Sequence, residues 1–185
     1  MAGLNIPKPS GNEAWAAVAV ILKRCQEPMV LVGKRAANPG DPWGGDAAFP
    51  GGHYETSDGS LLDTAIRETR EETGIDLSKV GKVAAVLDIE HPRNAPELNV
   101  LPIVFIVDCN VNVVSLGGEF EYVKWIRLSE IPNLDRVTVV KGNTKKAIVV
   151  GDMVIWGMTR RILCRLYNMI KNGELNVDAS AKPLS

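Results

Sequence analysis

Residues 60–74 carry the feature that most limits how this chain can fold: a short helix with both of its ends written into the sequence. Ser60 and Asp63 make an S-x-x-D pair suited to cap an N-terminus, and Gly74 suits the residue that closes a C-terminus. Leu62, Ala65, Ile66, Thr69 and Thr73 recur at helical spacing, which gives the helix a stripe to bury. The stretch just before it, residues 36–52 (AANPGDPWGGDAAFPGG), is so rich in glycine and proline that it predicts a long loop without regular structure, the kind of loop that tends to be functional. Around this pair lie β-rich runs. Ala14–Arg24 and Met29–Lys34 predict a hairpin across Gln26-Glu27-Pro28, and further strands are predicted at 82–90, 99–108 and 121–128, with a weaker pair at 136–140 and 146–150. A second helix is predicted over 153–171, with Ile155, Met158, Ile162, Leu166 and Met169 on one stripe and Asn172-Gly173 at its end. Strands on both sides of a helix indicate a mixed α/β or α+β layered fold. The expected organisation is one domain over 14–172, an irregular arm over 1–13 and a loose tail over 173–185.

Composition narrows the function. With 21 Lys+Arg against 22 Asp+Glu the 185-residue chain has a formal charge of −1, and a pI near 6.1 argues against a nucleic-acid polymer as partner, which needs a net basic face. The longest apolar run, Ala14–Leu22, is too short to span a bilayer, and residues 1–13 show no signal-peptide pattern. Cys25, Cys109 and Cys164 are odd in number and far apart, so reduced thiols and a cytoplasmic location are expected. Two histidines, His53 and His91, are too few for a His-based zinc site.

The chemistry lies on the first helix. Glu68, Glu71 and Glu72 stand at i, i+3 and i+4, so their carboxylates share a face; like charges at that spacing cost an isolated helix a few tenths of a kcal/mol per pair. Two of them sit in the last turn, where the helix dipole also disfavours negative charge. Crowding of this kind is expected to raise at least one carboxyl pKa. The face follows the Gly51-Gly52 turn, whose carbonyls can approach a cation closely. Clustered oxygens without His or Cys suit hard cations such as Mg²⁺ or Mn²⁺, which bind through carboxylates plus substrate phosphates.

Gly52 through Ile75 (GHYETSDGSLLDTAIRETREETGI) resembles the Nudix box, G-x5-E-x7-R-E-U-x-E-E-x-G-U with U aliphatic. Arg67, Glu68, Glu71, Glu72, Gly74 and Ile75 match in register; Asp58 stands where the pattern has its first Glu, Thr69 replaces an aliphatic residue, and the gap from Asp58 to Arg67 is one residue longer. That extension, with Phe49-Pro50-Gly51-Gly52 before it and Ile155–Leu163 near the end, is similar to the coenzyme A pyrophosphatase branch. The resemblance implies a Nudix α/β/α sandwich with a mixed sheet between helices. It further implies a metal-dependent hydrolase that cuts the pyrophosphate bond of a nucleoside diphosphate linked to another moiety, with coenzyme A a candidate. ADP-ribose, a nucleoside triphosphate, or a silent nucleotide-binding domain are the alternatives.

Under the resemblance Gly51, Glu68, Glu71 and Glu72 hold the metal, and Arg67 orients Glu68. Glu68 and Glu71 precede Glu119 as general base, with Glu121 as rival to Glu119. Arg35, Gly51 and Gly52 meet the substrate, although the branch's second phosphate-binding Arg has no counterpart and Asp41 and Pro42 occupy its neighbourhood. The expected partner is a small-molecule nucleotide, with no membrane; homodimerisation is left open. Trp43 is assigned to loop packing ahead of base stacking, Trp125 and Trp156 are expected in the core, and His53 and the 91–97 loop receive no role.

Overall fold

The computed structural model describes residues 4–177. Its centre is a parallel pair, β1 (Ala14–Arg24) and β6 (Leu98–Asp108), in register along their whole lengths. β2 (Met29–Arg35) pairs antiparallel with β1 at Leu22↔Val30 and Lys23↔Met29, as the hairpin pattern predicts, and the two strands then part. Into the split come β3 (Ala47–Ala48) on β2 and β4 (Gly51–His53) on β1. β5 (Lys82–Val86) pairs with β6, and β7 (Phe120–Arg127) with β2.

β1 is apolar on both sides because both its faces are covered. Trp15, Ala17, Ala19 and Ile21 pack with Leu61 and Ala65 of α1 (Leu61–Thr73) and with Leu77 of the short α2 (Leu77–Val80). Val20 and Leu22 pack on the other face with Ile131 of α3 (Ile131–Leu134) and with Ile162, Leu163 and Leu166 of α4 (Gly157–Lys171). Helices on both faces of a mixed sheet make the expected sandwich. A smaller sheet of β8 (Asp135–Val140), β9 (Asn143–Val150) and β10 (Met153–Ile155) adjoins it.

Three expectations about the elements change. The glycine-rich stretch is not wholly irregular: its last residues enter the split as β3 and β4, where strand partners on both sides supply the hydrogen bonds that local propensity does not. The second helix starts at Gly157, not at 153. Met153 and Ile155 are fully buried with Val154 between them less so, a period of two that belongs to β10 on β9. Leu175 and Val177 are buried against the α4 face, so packing continues past Asn172.

The cysteine expectation is overturned. Cys25 and Cys109 form a disulfide across a sequence separation of 84, with Cα atoms 4.9 Å apart; each follows directly on the last register pair of the parallel strands, Arg24↔Asp108. Strand pairing, invisible in cysteine spacing, brings them together. Cys164 is free. A bridge of this kind removes the support that reduced cysteines lent to a cytoplasmic location. Among the described residues no helix is long and apolar enough to cross a membrane.

Candidate functional site

α1 is held as its sequence predicts. The Ser60 side chain accepts from the Asp63 N–H at 3.2 Å, and Gly74, at φ 71°, donates its N–H to Arg70 O. The buried stripe is Leu61, Ala65, Thr69 and Thr73, flanked by Thr64 and Glu72, while Leu62 and Ile66 lie half-buried at its rim. The three glutamates therefore differ in exposure. At about 100° per residue, Glu71 and Glu72 flank Glu68 on an arc roughly 100° wide, one edge of which reaches the core. Glu72 is buried, Glu68 partly so, and Glu71 exposed.

Arg67 is the hub of the solvent side. Its Nε and Nη2 donate to Asp58 Oδ1 and Oδ2, both at 2.9 Å, Nη2 also reaches His53 O at 3.1 Å, and Nη1 reaches Glu68 Oε1 at 2.9 Å. Glu71 Oε2 lies 3.5 Å from Nη1. Asp58 is itself buried and accepts from the Glu55 N–H and the Thr64 hydroxyl. The Arg67 guanidinium, helped by those donors, holds the Asp58 carboxyl down at about 2 against the effect of burial. Asp58, whose role the altered spacing leaves open, thus anchors the arginine that orients Glu68. The His53 carbonyl is free to help because Gly51 and His53 occupy β4 positions whose backbone groups point away from the β1 ladder; that ladder runs through Pro50 O and the Tyr54 N–H. Register decides this, and residue type gives no hint of it.

Gly51 uses the same freedom on the core side. Its N–H donates to Glu72 Oε2 at 3.0 Å. Burial and, next, the neighbouring Glu119 carboxyl push the Glu72 pKa up to about 9, despite the Gly51 hydrogen bond. Burial also raises Glu68, against the pull of Arg67. Gly52 abuts Glu68 so closely that a Cβ there would collide with the carboxylate, and one at Gly51 would collide with the Ala17–Val18 backbone. Backbone contact requires glycine at position 51, whereas a side chain at position 52 would displace the Glu68 carboxylate.

Glu119, in the bend just before β7, faces Glu72 and Glu68, whereas its rival Glu121 turns to Lys34 at 3.6 Å. Arg35 lies beside this group with Nη1 3.8 Å from Glu119, but its Nη2 is held by Asp41 at 3.0 Å. Asp41, in the position where a second cation was missing, is a partner that sequence reasoning did not assign. The loop is tied down at its other end by Asp46, which accepts from Lys141 Nζ and Trp156 Nε1. Trp43, Trp125 and Trp156 are all half-buried, the last two beneath Lys23 and Lys145 and outside the fully buried core. In the 91–97 region His91 Nδ1 meets Leu98 O, and Glu90 pairs with Arg161 of α4.

The donor set suits a hard divalent cation in its chemistry. Glu68, Glu71, Glu72 and Glu119 offer only oxygen, and Glu72 is a buried carboxyl that makes no ion pair among the described residues. The acidic side chains are not gathered into a preformed three-ligand cluster among the described residues, so a cation would have to draw them together.

The NUDIX domain profile matches residues 14–147. The chain is 30% identical over 179 residues to the Nudix hydrolase NudL of Yersinia enterocolitica, covering 90% of this chain and 88% of that protein. Its fold is similar to that of a Nudix hydrolase, RenU, from M. smegmatis, with a TM-score of 0.59, 13% identity, and coverage of 86% of this chain and 87% of that one. It also resembles a MutT/nudix family protein from Enterococcus faecalis, with a TM-score of 0.57, 17% identity, and coverage of 90% and 65%.

Proposed function

The chain belongs to the NUDIX domain family and is a Nudix-type pyrophosphohydrolase, and from that premise we propose that it cuts the P–O–P bond of a nucleoside diphosphate linked to another moiety. Glu68, Glu71, Glu72 and the Gly51 backbone would hold Mg²⁺ or Mn²⁺. The observation that carries this reading is Glu72: a buried carboxyl, next to a second acid, with no cation paired to it among the described residues. Burying an uncompensated acid is costly, and a site that binds a cation removes the cost when it is loaded. A bound divalent ion supplies neutralisation of the substrate phosphates and a lowered pKa for the attacking water.

The protein's own groups do the rest. Asp58 and the His53 carbonyl fix Arg67, and Arg67 fixes Glu68. Glu68 and Glu71, ahead of Glu119, accept the proton of the attacking water. Gly51 and Gly52 let the substrate approach the helix, and Arg35 contacts a phosphate after exchanging its Asp41 partner for it. Coenzyme A is the first substrate to try, on the strength of the Phe49–Gly52 segment and the lengthened box; ADP-ribose and nucleoside triphosphates are the alternatives.

The test is product analysis over those three substrates, with and without EDTA. The expected result is hydrolysis of one of them that stops in chelator and returns with Mg²⁺ or Mn²⁺. Turnover that persists in EDTA would overturn the metal assignment, and nucleotide binding without any turnover would make the domain a binding module. Arg35→Ala should raise KM for the substrate found, by the equivalent of about 1.5–3 kcal/mol for a lost charge-assisted contact.

A further inference from the structure

We propose that Gly117 and Phe120 are positioning residues for Glu119, a clamp that holds its carboxyl against the acidic group on α1; the inference rests on the cation reading above. Glu119 follows the segment 109–118, which has neither strand nor helix of its own. The Glu119 side chain is 53% exposed and faces Glu72 and Glu68, so like charge would drive it toward water unless its backbone were fixed. The segment is fixed along its length. The Cys25–Cys109 bridge and Lys23 Nζ, 2.9 Å from Asn112 Oδ1, hold its start, and Val111 and Val113 pack against the core on the α1 side. Further on, the segment closes the C-terminus of α1. The Val114 and Ser115 N–H groups donate to Thr73 O at 3.0 and 3.3 Å, and the Gly117 N–H donates to Glu72 O at 3.1 Å, using carbonyls that a helix end leaves unpaired.

Gly117 stands at the tightest point of this contact. A Cβ there would collide with the Glu71 carbonyl, a backbone group that cannot turn aside, so only glycine lets the segment reach the helix end. On the other side of Glu119, Phe120 is buried, and its ring covers Gly33 so closely that a Cβ on Gly33 would collide with it. Between the two, Glu119 O accepts from the Ala36 N–H at 2.8 Å. A β-bulge sets this register. Gly33 stands opposite Val123 and Lys34 opposite Tyr122, but Arg35 stands opposite Phe120, which makes Glu121 the extra residue of β7. An unbroken register would set Glu121 opposite Arg35 and carry Glu119 past Ala36. The bulge gives the place opposite Arg35 to Phe120 and keeps Glu119 beside Ala36, at the end of α1. Both restraints act on backbone within two residues of Glu119. They present its oxygens at a fixed place, which lowers the ordering cost of using them.

Titration of the full, substrate-free chain with Mn²⁺, read by electron paramagnetic resonance, tests the clamp. Glu119→Gln is expected to weaken binding about tenfold. Gly117→Ala is expected to weaken it to a similar extent, as is Gly33→Ala, which displaces the Phe120 ring from the opposite side. In a Glu119→Gln background neither alanine should cost anything more, because the carboxyl that the clamp positions is already gone. The bound-ion spectrum of either glycine variant should also match that of Glu119→Gln, the signature of losing one and the same group. Simple destabilisation would instead add to the Glu119→Gln loss. Glycine variants that bind Mn²⁺ as the wild type does, or whose losses persist in full after Glu119→Gln, would overturn the clamp and leave the cation reading intact. A wild type that binds no Mn²⁺ would overturn both.

Discussion

Asp58 and Glu72 are both buried carboxyl groups beside α1, and their surroundings push them in opposite directions. Asp58 faces a bidentate guanidinium, a backbone N–H and a hydroxyl, and its pKa falls to about 2. Glu72 has a single backbone N–H and acidic neighbours, and its pKa rises to about 9. Burial raises both; compensation separates them. The Arg67 side of the site is neutralised from within and should contribute to stability. The Glu72 side is left uncompensated, which marks it as the place where charge has to come from outside the protein. The rise at Glu72 has burial as its first cause and a hydrogen bond with the Glu119 carboxyl as its second, while the charge of Glu68 along the helix comes last, so the expectation of repulsion along the helix names the least of the raising effects.

The largest effect should come from breaking the uncompensated side. Glu72→Gln is expected to lower turnover by about a hundredfold or more, on the scale of losing a principal metal ligand or preorganised charge, while leaving the metal-free melting temperature unchanged or higher. Paired activity assays and melts in EDTA decide this; a mutant that melts far lower yet stays active would make Glu72 structural. Next in size is the Cys25–Cys109 bridge, which closes a loop containing both carboxyls. Reduction should cost about 2–4 kcal/mol of global stability, read as a lower denaturation midpoint, and the wild-type-to-Cys25→Ser difference should vanish in reductant.

Asp58→Ala, which strands a mostly buried Arg67, should destabilise by about 1–3 kcal/mol and lower kcat with little change in KM, because Glu68 loses its orientation while substrate contacts remain. Equal losses of stability and no change in kcat would confine Asp58 to a structural part. The smallest effect is in pH. The Asp58 pKa is depressed in the folded state, so its contribution is fully present above the unfolded value of about 3.9 and is lost as pH falls from there through about 2. Acid unfolding of Asp58→Asn, compared with wild type by circular dichroism, should show a shallower loss of stability across that window. Identical slopes would mean that the Arg67 pair does not set the Asp58 pKa.

Local rules determined a good part of this protein. The capping residues of α1, the positions of Arg67, Glu68, Glu71 and Glu72, the main strands and the layered class all follow from spacing and side-chain chemistry, because helix periodicity and capping act over a few residues. Where the sequence reading failed, the missing partner was distant in the chain. Ala47–Ala48 and Gly51–His53 are strands only because β1 and β2 part and offer them edges. Met153–Ile155 is a strand only because β9 lies beside it. Cys25 finds Cys109 because two parallel strands end together. The exposures of the three glutamates depend on how deeply α1 sits on the sheet, and the choice of Glu119 over Glu121 as their neighbour depends on where β7 begins, with Glu119 in the bend before it and Glu121 within the strand beside Lys34. Sequence supplied the acidic groups; tertiary structure alone decided which of them is neutralised and which is not, since desolvation and ion pairing are properties of neighbours brought together by the fold.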